Sequence, residues 1–507
     1  MLNRRSLIRA GSAAATAGLL AGGVAGGPSP AVARPKWGRL RAALSGPLVL
    51  PGDADYERAK AMVLGQFDSV HPQAVAYCRT PRDVSVCLRF AQDHELPVAP
   101  RSGGHNYAGW STTPGLIVDL SMMNGARPSG RTVRLGPGAQ SVDAIAKLAP
   151  YDLQVLSGLC PTVCPGGYIS GGGIGWGTRK YGLASDHLRS AQVVLADGRV
   201  VRADEENEPD LFWALRGGGG GNFGIVTEFE VAPVAIPSLI NFTLTWPWEA
   251  AVDVIRGYTE WLPGGPDAWG SSLVAFMAES APGAVPVLLI QGAYLGSEPE
   301  YHAARESLVS AIGRPAATED TAELPFDQAA MQYYGCGDFS VEECHLVGNN
   351  PEAKLPRYHF AVDRGRLADH PLTAAAVREL LEAFEADRAA EQFRYLTFFA
   401  LGGQANRVPA DATAYVHRTS HYYIGYTVGL QVDEPEAGSR AAAQSWADKG
   451  FEVSDRYGIP ENYVNFPDPH LADWRTAYYG ANYSRLVRVK RDYDRYGFFS
   501  FGQSVGG

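Results

Sequence analysis

The sequence predicts an α+β protein in two halves, the second an antiparallel sheet backed by helices. Three observations lead there. Up to about Ile236, short apolar runs alternate with stretches at helical spacing. Beyond it, strictly alternating strands such as Ile240, Phe242, Leu244 and Trp246 are separated by one-faced helices, the pattern of a sheet covered on one side. The first half is also interrupted by three glycine clusters, at residues 101–110, 158–182 and 216–224.

In order, the chain opens on Asn3-Arg4-Arg5-Ser6-Leu7-Ile8-Arg9, an Ala/Gly-rich run and Ala31-Val32-Ala33. This is the pattern of a twin-arginine export signal over residues 1–33, which predicts secretion. A membrane anchor is the other reading, but the run has too many glycines and too little bulk. Residues 55–67 read as a helix. Residues 81–94 are a clearer one: Val84, Cys87, Leu88 and Ala91 share a face, and Pro81 sits in the first turn. Strands are expected at 115–120 and 131–136, a helix at 141–148, and a hairpin at 192–202 turning at Asp197-Gly198.

Residues 34–236 thus make a first domain and 237–460 a second. In the second, a helix with Ala251, Val254, Ile255, Tyr258, Trp261 and Leu262 on one face follows the strand at 240–246. Further strands are expected at 271–277, 285–294, 393–400 and 422–428, and helices at 301–312, 372–388 and 439–456.

The 507 residues leave ample length for a large core. A net charge of −10 argues against nucleic acid or an anionic membrane as partner. Cys336 and Cys344 lie in a turn-rich stretch and are placed to pair. For Cys78 and Cys87, buried thiols and a disulfide are both open. No zinc-like Cys/His spacing appears, His417 and His421 are too far apart along a strand to share an ion, and there is no G-x-S-x-G elbow, so no metal is expected.

The central cluster, GLCPTVCPGGYISGGGIGWGTRKYG, is the organising stretch. Dense glycine lets a backbone approach a bound molecule, and N–H groups in such turns cradle anions. A flexible linker would be Ser-rich and would not hold Cys160, Ile169, Ile174, Trp176 and Tyr181. Gly219, Gly221 and Gly224 match G-x-G-x-x-G, but the alternating residues after them read as a strand. A Rossmann site, which needs a helix there, is disfavoured.

Together PRSGGHNYAGW, SGLCPTVCPGGYISGGGIG, RKYGLASDHL, DLFWALRGGGGGNFGIVTEFE, ENYVNFPDP and YYGANYSRLVRVK resemble the berberine bridge enzyme-like flavoproteins, of the vanillyl-alcohol-oxidase type. The likeness runs from about residue 70 to the C-terminus, loosely in the middle. It implies a PCMH-type FAD-binding domain of two α/β subdomains, a sheet domain over the reactive face of the flavin, and a segment 461–507 that returns to the FAD-binding half.

In many members a histidine and a cysteine both bond FAD; by position these are His105 and Cys160. The residues alone leave His105 open to bonding its own loop, and Cys160 open to a disulfide with Cys164. The resemblance places Arg101, Ser102, Gly103, Gly104 and Asn106 around the pyrophosphate and ribityl chain. It places Gly166, Gly167, Ser170, Gly171, Gly172 and Gly175 beside the ring, and Gly221 and Val226 nearer the adenine. Asn465 joins them on the cofactor side. For any one glycine, a turn requirement is the alternative.

Oxidising an alcohol needs a base within reach of its hydroxyl. Relatives use a tyrosine from Tyr-x-Asn-Tyr; here the motif is Tyr463-Val464-Asn465-Phe466, so Tyr463 is the expected base. Its phenolate needs a stabilising neighbour, with Tyr426, Tyr422 and Arg418 as candidates. Tyr426 falls where relatives carry a glutamate or glutamine, although sheet packing explains Tyr422, Tyr423 and Tyr426 equally well. Ile174 stands where plant relatives have a tyrosine base. Tyr168 stands where many have histidine, and 494–499 departs from the usual ending. Val163 occupies the oxygen gatekeeper position and resembles members that react with O₂.

The resemblance therefore implies an exported oxidase that passes hydride from a CH–OH carbon to bicovalent FAD and on to O₂, giving H₂O₂. Its partners would be a small molecule and O₂. Sugars, oligosaccharides and hydroxylated secondary metabolites are the substrate classes. Trp246, Trp248, Trp261, Trp269, Tyr333 and Tyr334 form either a substrate platform or core. The alternatives are an oxidative cyclase and a non-catalytic flavin-binding protein that has lost its base.

Overall fold

The computed structural model describes residues 35–432 and 435–507. The export pattern at 1–33 lies outside the described residues. None of their helices is long and apolar enough to cross a membrane.

Three sheets organise the chain. The first contains β1 (Leu48–Val49), β2 (Ala74–Tyr77), β3 (Val98–Arg101) and β4 (Leu116–Asp119), in the order β1-β2-β4-β3. Its β2, β4 and β3 run parallel, which requires crossovers such as helix Pro81–Asp93. Thr80 caps that helix by accepting from Asp83 N–H, and Asp83 reaches back in a capping box. The second sheet contains β5 (Ala126–Ser129), β6 (Thr132–Leu135), β7 (Leu188–Val194), β8 (Val200–Ala203) and β9 (Ile225–Val231), ordered β5-β6-β9-β7-β8 and antiparallel throughout. The strand after Gly224 is therefore real, and the chain has no Rossmann turn there.

The third sheet is antiparallel and seven-stranded. It contains β10 (Ser238–Trp246), β11 (Trp269–Met277), β12 (Val287–Tyr294), β13 (Thr318–Pro325), β14 (Phe360–Ala368), β15 (Gln392–Ala400) and β16 (Tyr422–Leu430). The order is β13-β10-β12-β11-β15-β16-β14. Helices Ala251–Trp261, Glu298–Ile312, Ala374–Glu385 and Ala437–Tyr457 bury one face of it. Trp246 and Trp269 belong to this buried layer, with Trp248 and Trp261 packed against it, and Tyr334 is buried in a neighbouring cluster. These aromatics are core, not platform. The last helices, Trp474–Tyr479 and Tyr483–Tyr493, bury Tyr478, Tyr479 and Leu486 in one cluster with Phe212 and Trp213.

Three local expectations fail. The helix at 55–67 stops at Lys60, and a 3₁₀ turn follows at Gly65–Phe67. The residues between are drawn into an extended path because Val63 N–H bonds the Gly104 carbonyl and Leu64 bridges Tyr358. Strands β13 and β14 were not expected at all. β13 is an exposed edge reading TEDTAELP. β14 reads FAVDRGRLA, and its buried arginines hide the apolar alternation. Arg364 pairs with Asp468 and Asp448, and Arg366 with Asp455 and Asp473, while both lie over the Phe451 ring. Two carboxylates on each guanidinium offset much of the cost of burying these cations, although Arg366 Nη1 itself is left without a partner. Cys336 and Cys344 are disulfide-bonded. Cys78 and Cys87 are buried thiols with sulfurs 3.9 Å apart.

Candidate active site

A cavity of about 440 Å³ lies between the glycine loops and the third sheet. Its walls include Ser102, Gly103, Gly104, His105 and Asn106 from the first loop, and Cys160, Val163, Gly166, Gly167 and Ser170 from the second. Gly221 and Val226 come from the third, and Tyr463 and Asn465 from the last segment. Residues far apart in sequence thus meet at one site.

Five expected residues do not line it. Arg101 turns away into the fold, bonding Asp119 at 2.7 Å and the carbonyls of Ala59 and Lys60. Gly171, Gly172 and Gly175 are off the wall, and crowding demands glycine there. An added Cβ at Gly171 would lie 2.1 Å from Asn465 Oδ1, and at Gly175 2.1 Å from the Ser157 carbonyl. Gly172 has φ +126° against the Tyr415 ring. At these three positions it is crowding by neighbouring protein that calls for glycine.

Tyr426 is the fifth. Its hydroxyl donates to the Leu380 carbonyl at 2.7 Å, and its ring packs on Trp446 beneath helix Ala437–Tyr457. Strand parity decides this: Tyr422, Ile424, Tyr426 and Val428 face the helices, so Tyr423, Gly425 and Thr427 face the cavity side. Tyr422 likewise donates to His370, and Arg418 is bound to Asp186. None of the three reaches Tyr463.

The groups that do reach Tyr463 are backbone and amide. Its Oη accepts from Gly173 N–H at 2.7 Å and from Asn465 Nδ2 at 2.9 Å. Burial raises the phenol, and these donors pull it back toward ionisation. Asn465 therefore serves the tyrosine as well as the wall.

The structure adds Asp363, on the unexpected strand β14. Its carboxylate lines the cavity and accepts from Tyr423 Oη at 2.6 Å and Thr427 Oγ1 at 2.5 Å. Burial lifts it above the ordinary carboxylate range, against those two donors. Tyr423 reaches it by lying across two glycines: a Cβ at Gly425 would lie 2.3 Å from its ring, and one at Gly365 2.6 Å.

His105 is half-buried, with Nε2 2.8 Å from Thr162 Oγ1. Burial pushes it down to about 4, so the imidazole is neutral near pH 7. Gly103 makes the contact feasible, since a Cβ there would press within 2.7 Å of the Thr162 carbonyl. The Cys160 thiol is accessible from the cavity and raised by its apolar surroundings, whereas Cys164 is buried. The two are not bonded to each other.

Family models match the chain at both ends of this architecture: an FAD binding domain over residues 72–204, and berberine and berberine like over 462–506. The chain thus carries an FAD binding domain and a berberine-like C-terminal segment, and the relatives it matches along nearly its whole length are FAD-linked oxidoreductases. It is 29% identical to the uncharacterized FAD-linked oxidoreductase YgaK of Bacillus subtilis, over 91% of this chain and 97% of that protein. It is 27% identical to the carbohydrate oxidase of Microdochium nivale, over 92% and 95%. Its fold superposes on Physcomitrella patens BBE-like 1 with a TM-score of 0.81, at 22% identity over 92% and 98%.

The cavity suits FAD. A Cβ on Gly167 would meet no protein atom within 4 Å, so the wall is bare where a ring must pass close. Ser170 Oγ and Gln503 Oε1, both on the wall, are buried without protein partners.

Proposed function

We propose that this FAD-dependent enzyme is an exported alcohol oxidase whose flavin is held by two covalent bonds, through His105 and Cys160. The observation that carries this reading is the convergence on one cavity of a neutral imidazole, an accessible thiol and a buried tyrosine hydroxyl that accepts two N–H donors.

Bound there, FAD supplies the hydride acceptor and is reoxidised by O₂. The protein supplies the rest. The Tyr463 phenolate, held by the Gly173 N–H and the Asn465 amide, takes the hydroxyl proton of a CH–OH substrate and becomes the phenol. Asp363 accepts a hydrogen bond from substrate on the sheet side. Val163 leaves small bulk where oxygen must enter. Carbohydrate and chitooligosaccharide oxidases among the relatives support CH–OH chemistry.

The test is acid denaturation followed by intact mass. The wild type, His105→Ala and Cys160→Ala should each retain FAD on the polypeptide, and the double variant should lose it. Colour washing out of the wild type overturns the bicovalent reading.

Thr162 refines this. In the tautomer with the proton on Nε2, the Thr162 hydroxyl 2.8 Å away accepts it, and Nδ1 is the free nucleophile. In a Cys160→Ala background, Thr162→Val should reduce acid-stable flavin severalfold, and Thr162→Ser should restore it.

A further inference from the structure

One register row crosses five strands of the third sheet and leads out of the cavity. Asp363 on β14 pairs with Thr427 on β16, Thr427 with Tyr395 on β15, Tyr395 with Phe276 on β11, and Phe276 with Val287 on β12. Cross-strand partners share a face, so all five side chains stand on the side that Asp363 presents to the cavity. Four strand spacings make the row about 19 Å long.

The row is aromatic in its middle and open at its far end. Phe276 stacks on Tyr395 at 4.6 Å, Phe393 meets Tyr395 at 5.8 Å, and Tyr358 meets Phe393 at 5.9 Å. Val287 and Tyr358 are both 47% exposed, among the few large apolar side chains that face solvent. The adjacent row on the same face is Gly365, Gly425, Thr397, Val274 and Leu289. Neither row carries a charge beyond Asp363. The Thr427 hydroxyl is already committed to Asp363.

We propose that this face is a binding platform for the distal part of the substrate, and that this part is a flat, apolar polycyclic body rather than a chain of sugar units. The direction of binding, with the reacting hydroxyl toward Asp363 and Tyr463, rests on the oxidase reading above. Two arguments select the class. A contiguous exposed apolar patch that opens into a catalytic cavity marks a ligand surface, not a solvated one. A polyhydroxylated chain laid on it would lose hydrogen bonds to water and find only the scattered hydroxyls of Tyr395, Thr397 and Tyr358 in exchange. Stacked rings, by contrast, offer planar contact to a planar ligand.

The test uses the holoenzyme and 1-pyrenemethanol, a planar apolar alcohol, followed by its own fluorescence. Saturable binding is expected, with Kd raised about tenfold by Phe276→Ser and severalfold by Val287→Ser. Cellobiose should not displace the probe. Four results would overturn the proposal: no saturable binding to the wild type, a Kd unmoved by both substitutions, displacement by cellobiose, or a change of oligomeric state in either variant, which would make the face a contact between copies. Circular dichroism on each sample excludes misfolding, and Val287, being half-exposed, keeps the comparison available if Phe276→Ser does not fold. Anaerobic bleaching of the flavin by 1-pyrenemethanol, followed on the same samples, separates the two readings: its absence removes the oxidase orientation, while the Kd comparison still decides the platform.

Discussion

Tyr463→Phe should lower kcat by about 10²–10⁴-fold, the usual worth of a positioned general base, while acid-stable flavin stays at the wild-type level. The substitution removes one oxygen and keeps the ring that packs against Tyr415 and Phe466. It leaves Gly173 N–H and one Asn465 N–H without that acceptor, so a modest drop in Tm is expected as well. The decisive readout is a single-turnover experiment, in which the rate of flavin bleaching by substrate should fall by the same factor as kcat. Unchanged bleaching would mean that the proton leaves by another route. The proposed oxidase mechanism would then lose its base.

Asp363→Asn should have the second-largest effect, with kcat/KM down by about 10- to 100-fold, the worth of a hydrogen bond from substrate to a charged acceptor. Its signature is a split between activity and stability. Burial holds the folded-state pKa above the ordinary carboxylate value. A carboxyl whose folded pKa is raised is stabilising only while protonated, and that contribution is lost as pH rises through the folded value. Above the ordinary carboxylate pKa this raised value costs stability, and the neutral amide should there leave Tm equal or higher. A side chain of purely structural worth would lower Tm instead. The pH profile gives a second check. The acid limb of kcat/KM should sit above about pH 4, where an unperturbed carboxylate would place it, and should vanish in Asp363→Asn.

Much of the architecture was legible in the chain. Helix 141–148 is found as Ser141–Leu148, and the hairpin at Asp197-Gly198 is found as β7 and β8. The strands of the second half keep their alternation because one face is packed on helices. The glycine clusters also announced the cavity, since glycine there reflects a backbone that a ligand or another chain segment must approach. Which of the two it was could not be read locally: Gly167 faces open space, whereas Gly171 and Gly175 face protein.

By itself, then, the sequence determined the fold class and the likeness to FAD-linked oxidoreductases, and it singled out His105, Cys160 and Tyr463 as candidates, because each sits in a contiguous motif that carries that likeness. Only the tertiary structure decided which residues complete the site. Tyr426 was lost to the core and Tyr423 placed at the cavity side by strand parity, which a run of similar aromatics does not reveal. Asp363 came into view only when β14 paired with β16. Its strand is concealed in sequence by arginines whose burial depends on carboxylates about 80 to 110 residues away. The platform, too, exists only as a cross-strand row, because register between strands is set by the assembled sheet and not by any one segment.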